Sequence, residues 1–308
     1  MRVLIYGAGV IGSDLAAALY SSGKDVTILA RGDRADTLEK NGLYIAPVFS
    51  FRKRKYRIPV IRKLKPEDVY DAIFVAMRYT QSNEIISCLL ENASKNIIFI
   101  GNNLSAGQYV EKLKNKNVLF GFHMAGGHRE KDRVVLLSLR KITIGPIKEG
   151  HLNEELIKEI FKGTSIKVTY QKNMEDWLLC HAAFVVPVAF ACYYCHGDLK
   201  RIKNNKAYLH RIIDANIEGF EAIENAGHEI LPASDANFRT KKYRRLSYFI
   251  YKVMCSTVLG KICASDHAMH AAEEMSALNE GLKRFYDAHQ AAYPAYRQLE
   301  ADAAAYLK

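Results

Sequence analysis

Short runs of aliphatic, β-branched and aromatic residues alternate with longer helical stretches through the first 170 residues, and then the alternation stops. The apolar runs are Val3-Leu4-Ile5-Tyr6, Val26-Thr27-Ile28-Leu29, Ala72-Ile73-Phe74-Val75, Asn96-Ile97-Ile98-Phe99-Ile100 and Ile142-Thr143-Ile144. Strands and helices taking turns in this way predict βαβ units around a largely parallel sheet. Ser165-Ile166-Lys167-Val168-Thr169-Tyr170 is the last strand-like run, and after it come segments rich in Ala, Leu, Glu and Lys. Residues 208–226, closed by Gly227, and residues 277–306 read as helices. The chain is therefore expected to hold an α/β domain over 1–170 and an all-helical domain over 171–308.

One segment of the second half differs from the rest. Residues 177–195 carry no formally charged side chain and reach the length at which a membrane span must be weighed. The run holds His181 and Pro187 and ends near two tyrosines, which suits the buried central helix of a soluble domain better. No membrane partner is expected.

Composition narrows the picture. With 308 residues, 49% hydrophobic and 25% charged, disorder, collagen and small disulfide scaffolds are excluded. The net charge of +11 predicts an anionic partner. It is unevenly spread: residues 1–170 hold 27 basic and 17 acidic side chains, residues 171–308 hold 17 and 16. Eight of the basic residues (Arg52, Lys53, Arg54, Lys55, Arg57, Arg62, Lys63, Lys65) fall in fourteen positions without an acid, beside Phe51 and around Tyr56. A smaller group is Arg239, Lys241, Lys242, Arg244 and Arg245. Basic residues interleaved with aromatics are the footprint of phosphate-backbone binding. A solvated hairpin edge, where Lys and Arg discourage strand pairing, accounts for them more simply, so nucleic acid is not an expected partner. Six irregularly spaced cysteines read as reduced thiols, and Met1-Arg2 leads directly into an apolar run broken by Gly7; a cytoplasmic protein is the expectation.

The strongest local signal is Gly7-Ala8-Gly9-Val10-Ile11-Gly12, between the first strand and a helical run from Ser13 to Ser22. In this context Gly7 permits a tight turn, Gly9 lets the backbone approach a pyrophosphate, and Gly12 allows close packing of helix on strand. The helix N-terminus supplies N–H groups for the anion. The fold class is thus a Rossmann-type doubly wound sheet followed by a helical domain. The second strand ends at Arg31, where a dinucleotide site for NAD would place an acid; a basic residue there accommodates a 2′-phosphate, which points to NADP. Asp33 is expected to cap a short helix over 34–40, ended by Asn41-Gly42.

Four features together resemble the ketopantoate reductase (2-dehydropantoate 2-reductase) family. They are the glycine loop; Arg31 to Ile45; Val75-Ala76-Met77-Arg78-Tyr79-Thr80-Gln81, with Arg78 where the family usually has Lys; and Asn102-Asn103-Leu104, with Asn103 in place of glycine. The resemblance implies reduction of an α-keto acid with NADPH, cofactor on the N-terminal domain, a small-molecule substrate, a homodimer and a place in pantothenate biosynthesis. It implies cofactor contacts from Gly7, Ala8, Gly9, Val10, Ile11, Gly12, Arg31, Arg78, Gln81 and Asn102. The family's central helix carries a catalytic Lys and two Asn at four-residue spacing before a proline. Aligning on Pro187 puts Leu178, Ala182 and Val186 there, and aligning on Trp177 puts Leu179 and Ala183 at the first two positions. Neither recovers the lysine.

Candidates for the chemistry come from what remains. Arg78 follows a strand end, where it either clamps phosphate with Arg31 or is a solvated loop residue. Asn102, at the next strand end, offers hydrogen bonds to a nicotinamide or substrate carbonyl, or is a turn residue. His181 is the ionisable group of the apolar run other than cysteine; it faces a ligand or is a hydrogen-bonded core histidine. Asp266 and His267 belong to a second polar cluster, in the part of the chain where the family has a substrate-contacting acid, although the local sequence does not align Asp266 with it. His267, His270 and Glu274 share a helical face and read as an exposed polar face rather than a metal site. Cys192-Tyr-Tyr-Cys195-His196 fits a haem-attachment pattern, yet nothing else in the chain supports export, and structural thiols are the expected reading. A binder of NADP(H) without turnover is the alternative function.

Overall fold

The computed structural model describes residues 1–49, 53–148 and 152–307. The chain divides into two compact units, Met1–Glu175 and Asp176–Lys308. The division falls later than residue 170 because the first turn of the helix Met174–Tyr194 is tied to the sheet. Met174 N donates to Pro146 O at 3.0 Å and Glu175 N to Ile147 O at 2.9 Å.

In the first unit the strands are β1 (Arg2–Tyr6), β2 (Asp25–Leu29), β3 (Leu43–Pro47), β4 (Arg54–Tyr56), β5 (Val60–Ile61), β6 (Ala72–Val75), β7 (Asn96–Ile100), β8 (Asn117–Arg129), β9 (Val134–Gly145) and β10 (Lys167–Tyr170). They form one sheet in the order β4, β3, β9, β8, β7, β6, β1, β2, β5, with β10 also on β9. The run β2, β1, β6, β7, β8 is parallel throughout. Beyond their first residues its central strands β1, β6 and β7 are continuously apolar because both faces are covered: Val3, Leu4, Ile5, Ile73 and Phe74 have no exposed surface. The helices are α1 (Val10–Ser21), α2 (Gly32–Asn41), α3 (Tyr79–Ser82), α4 (Ile86–Glu91), α5 (Ala106–Lys112) and α6 (Glu154–Phe161). From β1 the sheet grows one way to β2 and the other way to β6, so the strand order reverses at β1. Open α/β sheets bind ligands outside the carboxyl ends of the strands at such a point.

Half of this sheet departs from the expected pattern. β8 and β9 form a long antiparallel ribbon with a register shift between His123 and Ala125. The second half of β8, from His123 through Gly126 and Gly127 to Arg129, lacks the β-branched density that marks a strand. The hairpin β3–β4 makes the edge that the basic segment was expected to form. There Lys55 lies over the Tyr44 ring, while Arg62, just after β5 at the opposite edge, pairs with Asp36 and Glu39 of α2 at 2.5 and 2.7 Å. Phe51 and Arg52 lie outside the described residues.

The second unit contains α7 (Met174–Tyr194), α8 (Lys206–Asn225), α9 (Lys241–Ser256), α10 (Val258–Gly260), α11 (Asp266–His270), α12 (Ala272–Ala288) and α13 (Pro294–Ala303). α7 contains Pro187 and is mostly buried among the others, with Ala183, Val186, Phe190 and Tyr193 fully enclosed. By length and composition it is also long and apolar enough to cross a membrane. The helix expected over 277–306 is two helices. Pro294 cannot continue a preceding helix but suits the first turn of a new one, and it begins α13.

Candidate dinucleotide site and the polar groups around it

The three loop glycines have separate physical causes. Gly7 adopts φ +111°, and a Cβ there would lie 2.5 Å from the Ala76 carbonyl oxygen on the neighbouring strand end. A Cβ at Gly12 would lie 2.0 Å from Gly7 O and 3.2 Å from the Ala76 Cβ, so α1 could not sit this close to the sheet. Gly9 is different. It caps α1 with φ −75°, a conformation open to any residue, and a Cβ there meets nothing within 4 Å. The protein's own packing does not require glycine at this position, whereas a ligand approaching the loop does. Gly7 N donates to Leu29 O at 3.1 Å, which ties the loop to β2. Val10 and Ile11 pack against the core and leave the first-turn N–H groups of α1 directed out of the helix end.

At the end of β2, Arg31 is exposed and occupies the N-cap position of α2 in an extended conformation. It lies close enough to Tyr6 to oppose the rise that burial imposes on the phenol. Asp33 does not cap: α2 starts at Gly32, and Asp33 lies in the first turn, favourable to the helix dipole without a side-chain cap. Arg34 was not singled out by sequence. Its Nε donates to Ala8 O at 3.1 Å and its Nη2 to Ser13 Oγ at 3.3 Å, so a guanidinium lies directly against the glycine loop. Burial, with Arg129 nearby, pulls its pKa down to about 10. The available signal was its place one helical turn beyond Arg31.

At the end of β6, Arg78 is half-buried and precedes α3; its carbonyl accepts from Gln81 N at 2.9 Å. The Gln81 side chain is exposed. Arg31 and Arg78 thus stand at the carboxyl ends of the two strands flanking β1. At the end of β7, Gly101 takes φ +128°, and Asn102 and Asn103 are buried in a small pocket with Met77, Tyr79 and Ser82. Asn103 Oδ1 accepts from Ser105 N at 2.8 Å, while its Nδ2 has no partner among the described residues.

Behind the loop lies a buried ionic network. Asp14 on α1 accepts from His123 Nε2 at 2.7 Å and from Arg140 Nη1 at 3.1 Å, and His123 Nδ1 meets Lys141 O at 3.1 Å. Burial raises the Asp14 pKa, but the His123 bond and the charges of His123 and Arg140 outweigh it and leave the carboxyl below its ordinary value. The network fastens the β8–β9 ribbon to the helix that carries the glycine loop.

In the helical unit, His181 stacks on Trp177 with ring centroids 5.2 Å apart. Burial first and His267 second push its pKa down to about 4, so it is neutral near pH 7. Asp266 is half-buried on α11, and its carbonyl oxygen meets His270 Nδ1 at 2.7 Å. Among the described residues no group of three or more His, Cys, Asp or Glu could hold a metal ion. Cys192 and Cys195 are buried thiols, raised by burial to about 12 and about 11, and His196 Nδ1 meets Tyr306 Oη at 2.8 Å. Leu178, Ala182 and Val186 are buried and apolar.

Residues 3–149 match the family model described as Ketopantoate reductase PanE/ApbA. A 2-dehydropantoate 2-reductase of Archaeoglobus fulgidus is 22% identical over 248 residues, covering 76% of this chain and 78% of the relative. One from Pyrococcus horikoshii is 24% identical over 179 residues, covering 58% of each. Among solved structures, D-mandelate dehydrogenase with NADH and anilino(oxo)acetate is similar at TM-score 0.79 and 14% identity, covering 100% of this chain and 98% of that one. A 2-dehydropantoate 2-reductase from Geobacter metallireducens gives TM-score 0.79 at 16% identity and 99% of both chains.

Proposed function

We propose, from the match of residues 3–149 to the ketopantoate reductase family model, that this chain is an NADPH-dependent reductase of a small, carboxylate-bearing keto compound. The observation that carries the reading is Gly9: the loop keeps a glycine where the protein alone does not need one, and the Arg34 guanidinium lies against the neighbouring Ala8 carbonyl. When bound, the reduced nicotinamide supplies the hydride. The α1 N-terminus and the loop N–H groups bind the pyrophosphate, and Arg31 and Arg78, with the positions around Gln81, favour a 2′-phosphorylated cofactor. Asn102 orients a carbonyl at the end of β7.

A ketone that accepts hydride also needs stabilisation at its oxygen. His181, neutral at pH 7, suits that task as an N–H donor rather than as an imidazolium acid, and Asp266 supplies a second polar group. The protein then works in the cytoplasm as a homodimer, and ketopantoate is the first acid to try, with a place in pantothenate biosynthesis. The decisive experiment follows NADPH oxidation across a panel of 2-oxo acids including ketopantoate. Turnover of one acid at a rate proportional to enzyme supports the reading. NADPH binding with no turnover of any acid supports the second reading, a dinucleotide-binding protein without catalysis. That reading is favoured by one observation, the buried apolar stripe Leu178, Ala182 and Val186 where the family has its lysine and asparagines.

A further inference from the structure

Asn103 departs from the family motif, and the structure shows what the departure introduces. Its side chain is 5% exposed and sits in the pocket at the end of β7 beside Asn102, Met77 and Tyr79. The amide cannot turn over without loss, because its Oδ1 accepts from Ser105 N at 2.8 Å in the turn that opens α5. That bond commits the oxygen end of the amide, and the other end, Nδ2, is a buried two-proton donor with no protein partner among the described residues. Burying such a donor unsatisfied is costly, and native structures avoid it unless a ligand or ordered water takes the bond. Glycine in this place would offer neither the donor nor the cost.

We propose that Asn103 is a ligand-binding residue of this chain, its Nδ2 donating to an sp² oxygen at the nicotinamide end of the cofactor site. The inference rests on the dinucleotide reading above. Two oxygens have the right chemistry: that of the nicotinamide carboxamide, and the keto or carboxylate oxygen of a 2-oxo acid. With either, Asn103 adds a polar requirement that a glycine-bearing site lacks, so this site rejects ligands without an acceptor there.

N103D tests the donor, since it keeps the acceptor oxygen for Ser105 and removes only the N–H groups; N103G restores the family residue. Binding of NADPH, of 2′,5′-ADP (which lacks the nicotinamide half) and of ketopantoate to the NADP⁺-loaded protein is measured for each by calorimetry. The expected result is a loss of about tenfold or more in NADPH affinity for both variants, with 2′,5′-ADP affinity held within about twofold. Unchanged NADPH affinity with a similar loss for ketopantoate assigns the bond to the substrate oxygen and also upholds the proposal. Unchanged affinity for all three overturns it. So does an equal loss for NADPH and 2′,5′-ADP, which would make Asn103 a residue that only shapes the β7 turn. A wild-type protein that binds neither NADPH nor 2′,5′-ADP overturns the cofactor reading itself, and the assignment of Asn103 with it.

Discussion

The glycine loop after β1 and the apolar stripe of α7 occupy comparable places in their units, each at the heart of one family motif, and they have opposite character. Around the loop, polar groups are exposed or held against it: Gly9 faces open space, Arg31 is exposed, Arg34 lies against the Ala8 carbonyl, and the Asn103 Nδ2 has no partner among the described residues. Along α7 burial pushes two ionisable groups toward neutrality, His181 down to about 4 and Cys180 up to about 12. The positions of the family lysine and asparagines are filled with side chains that belong to a core. The contrast teaches that dinucleotide recognition and the polarisation of a substrate oxygen are separable parts of this architecture. The first is built from backbone geometry and is kept. The second depends on a few side chains, and along α7 the stripe Leu178, Ala182 and Val186 is apolar and buried.

The sharpest way to break the comparison is within the loop itself. G12V drives a side chain into Gly7 O and should cost at least about 4 kcal/mol, visible as loss of a cooperative melt. G9A should fold with a change of about 1 kcal/mol or less yet lose most dinucleotide affinity; a G9A protein that binds NADPH normally would remove the reason for the glycine. Next in size is D14A, which leaves His123 and Arg140 without their buried carboxylate and should cost about 3 kcal/mol in a urea titration. Because the folded Asp14 pKa is depressed, its contribution is full above the ordinary carboxylate pKa near 4 and is lost as pH falls through the lower folded value. The difference between wild type and D14A should therefore narrow below about pH 4.

R34Q removes a charged contact beside the loop and should weaken NADPH about tenfold, read by fluorescence titration. For His181 the test is protonation. The folded ring titrates near 4 while an unfolded histidine takes its proton near 6.5, so the folded state loses stability as pH falls from 6.5 to 4. NMR should find the ring neutral at pH 6, and H181F should remove that part of the acid sensitivity. R62A should do least, since its pairs with Asp36 and Glu39 are solvent-exposed; the melting temperature should move by no more than about 1 °C.

What could be read from sequence follows the same division. Residues Gly7 to Gly12 and Arg31 are legible because backbone geometry needs particular residues at fixed spacing. Arg34 and the unpaired Asn103 amide are not, because their meaning lies in which atoms of α1 and α5 come back to meet them. Of the β8–β9 ribbon only Ile142-Thr143-Ile144 is legible, since the strand character of the rest of β8 comes from long-range pairing, not from the propensities of Gly126, Gly127 and His128. In α7 a continuous apolar run shows that the helix is buried, but its lack of polar periodicity leaves no sequence pattern to say which face could serve a ligand.

The central claim is that the N-terminal unit is a working site for a 2′-phosphorylated dinucleotide. Parallel calorimetric titrations of NADPH and NADH, on the wild type and on R31A, test it most directly. The account predicts NADPH bound at least about tenfold more tightly than NADH by the wild type, with R31A reducing that preference. Equal affinities in the wild type, or binding of neither nucleotide, would contradict it.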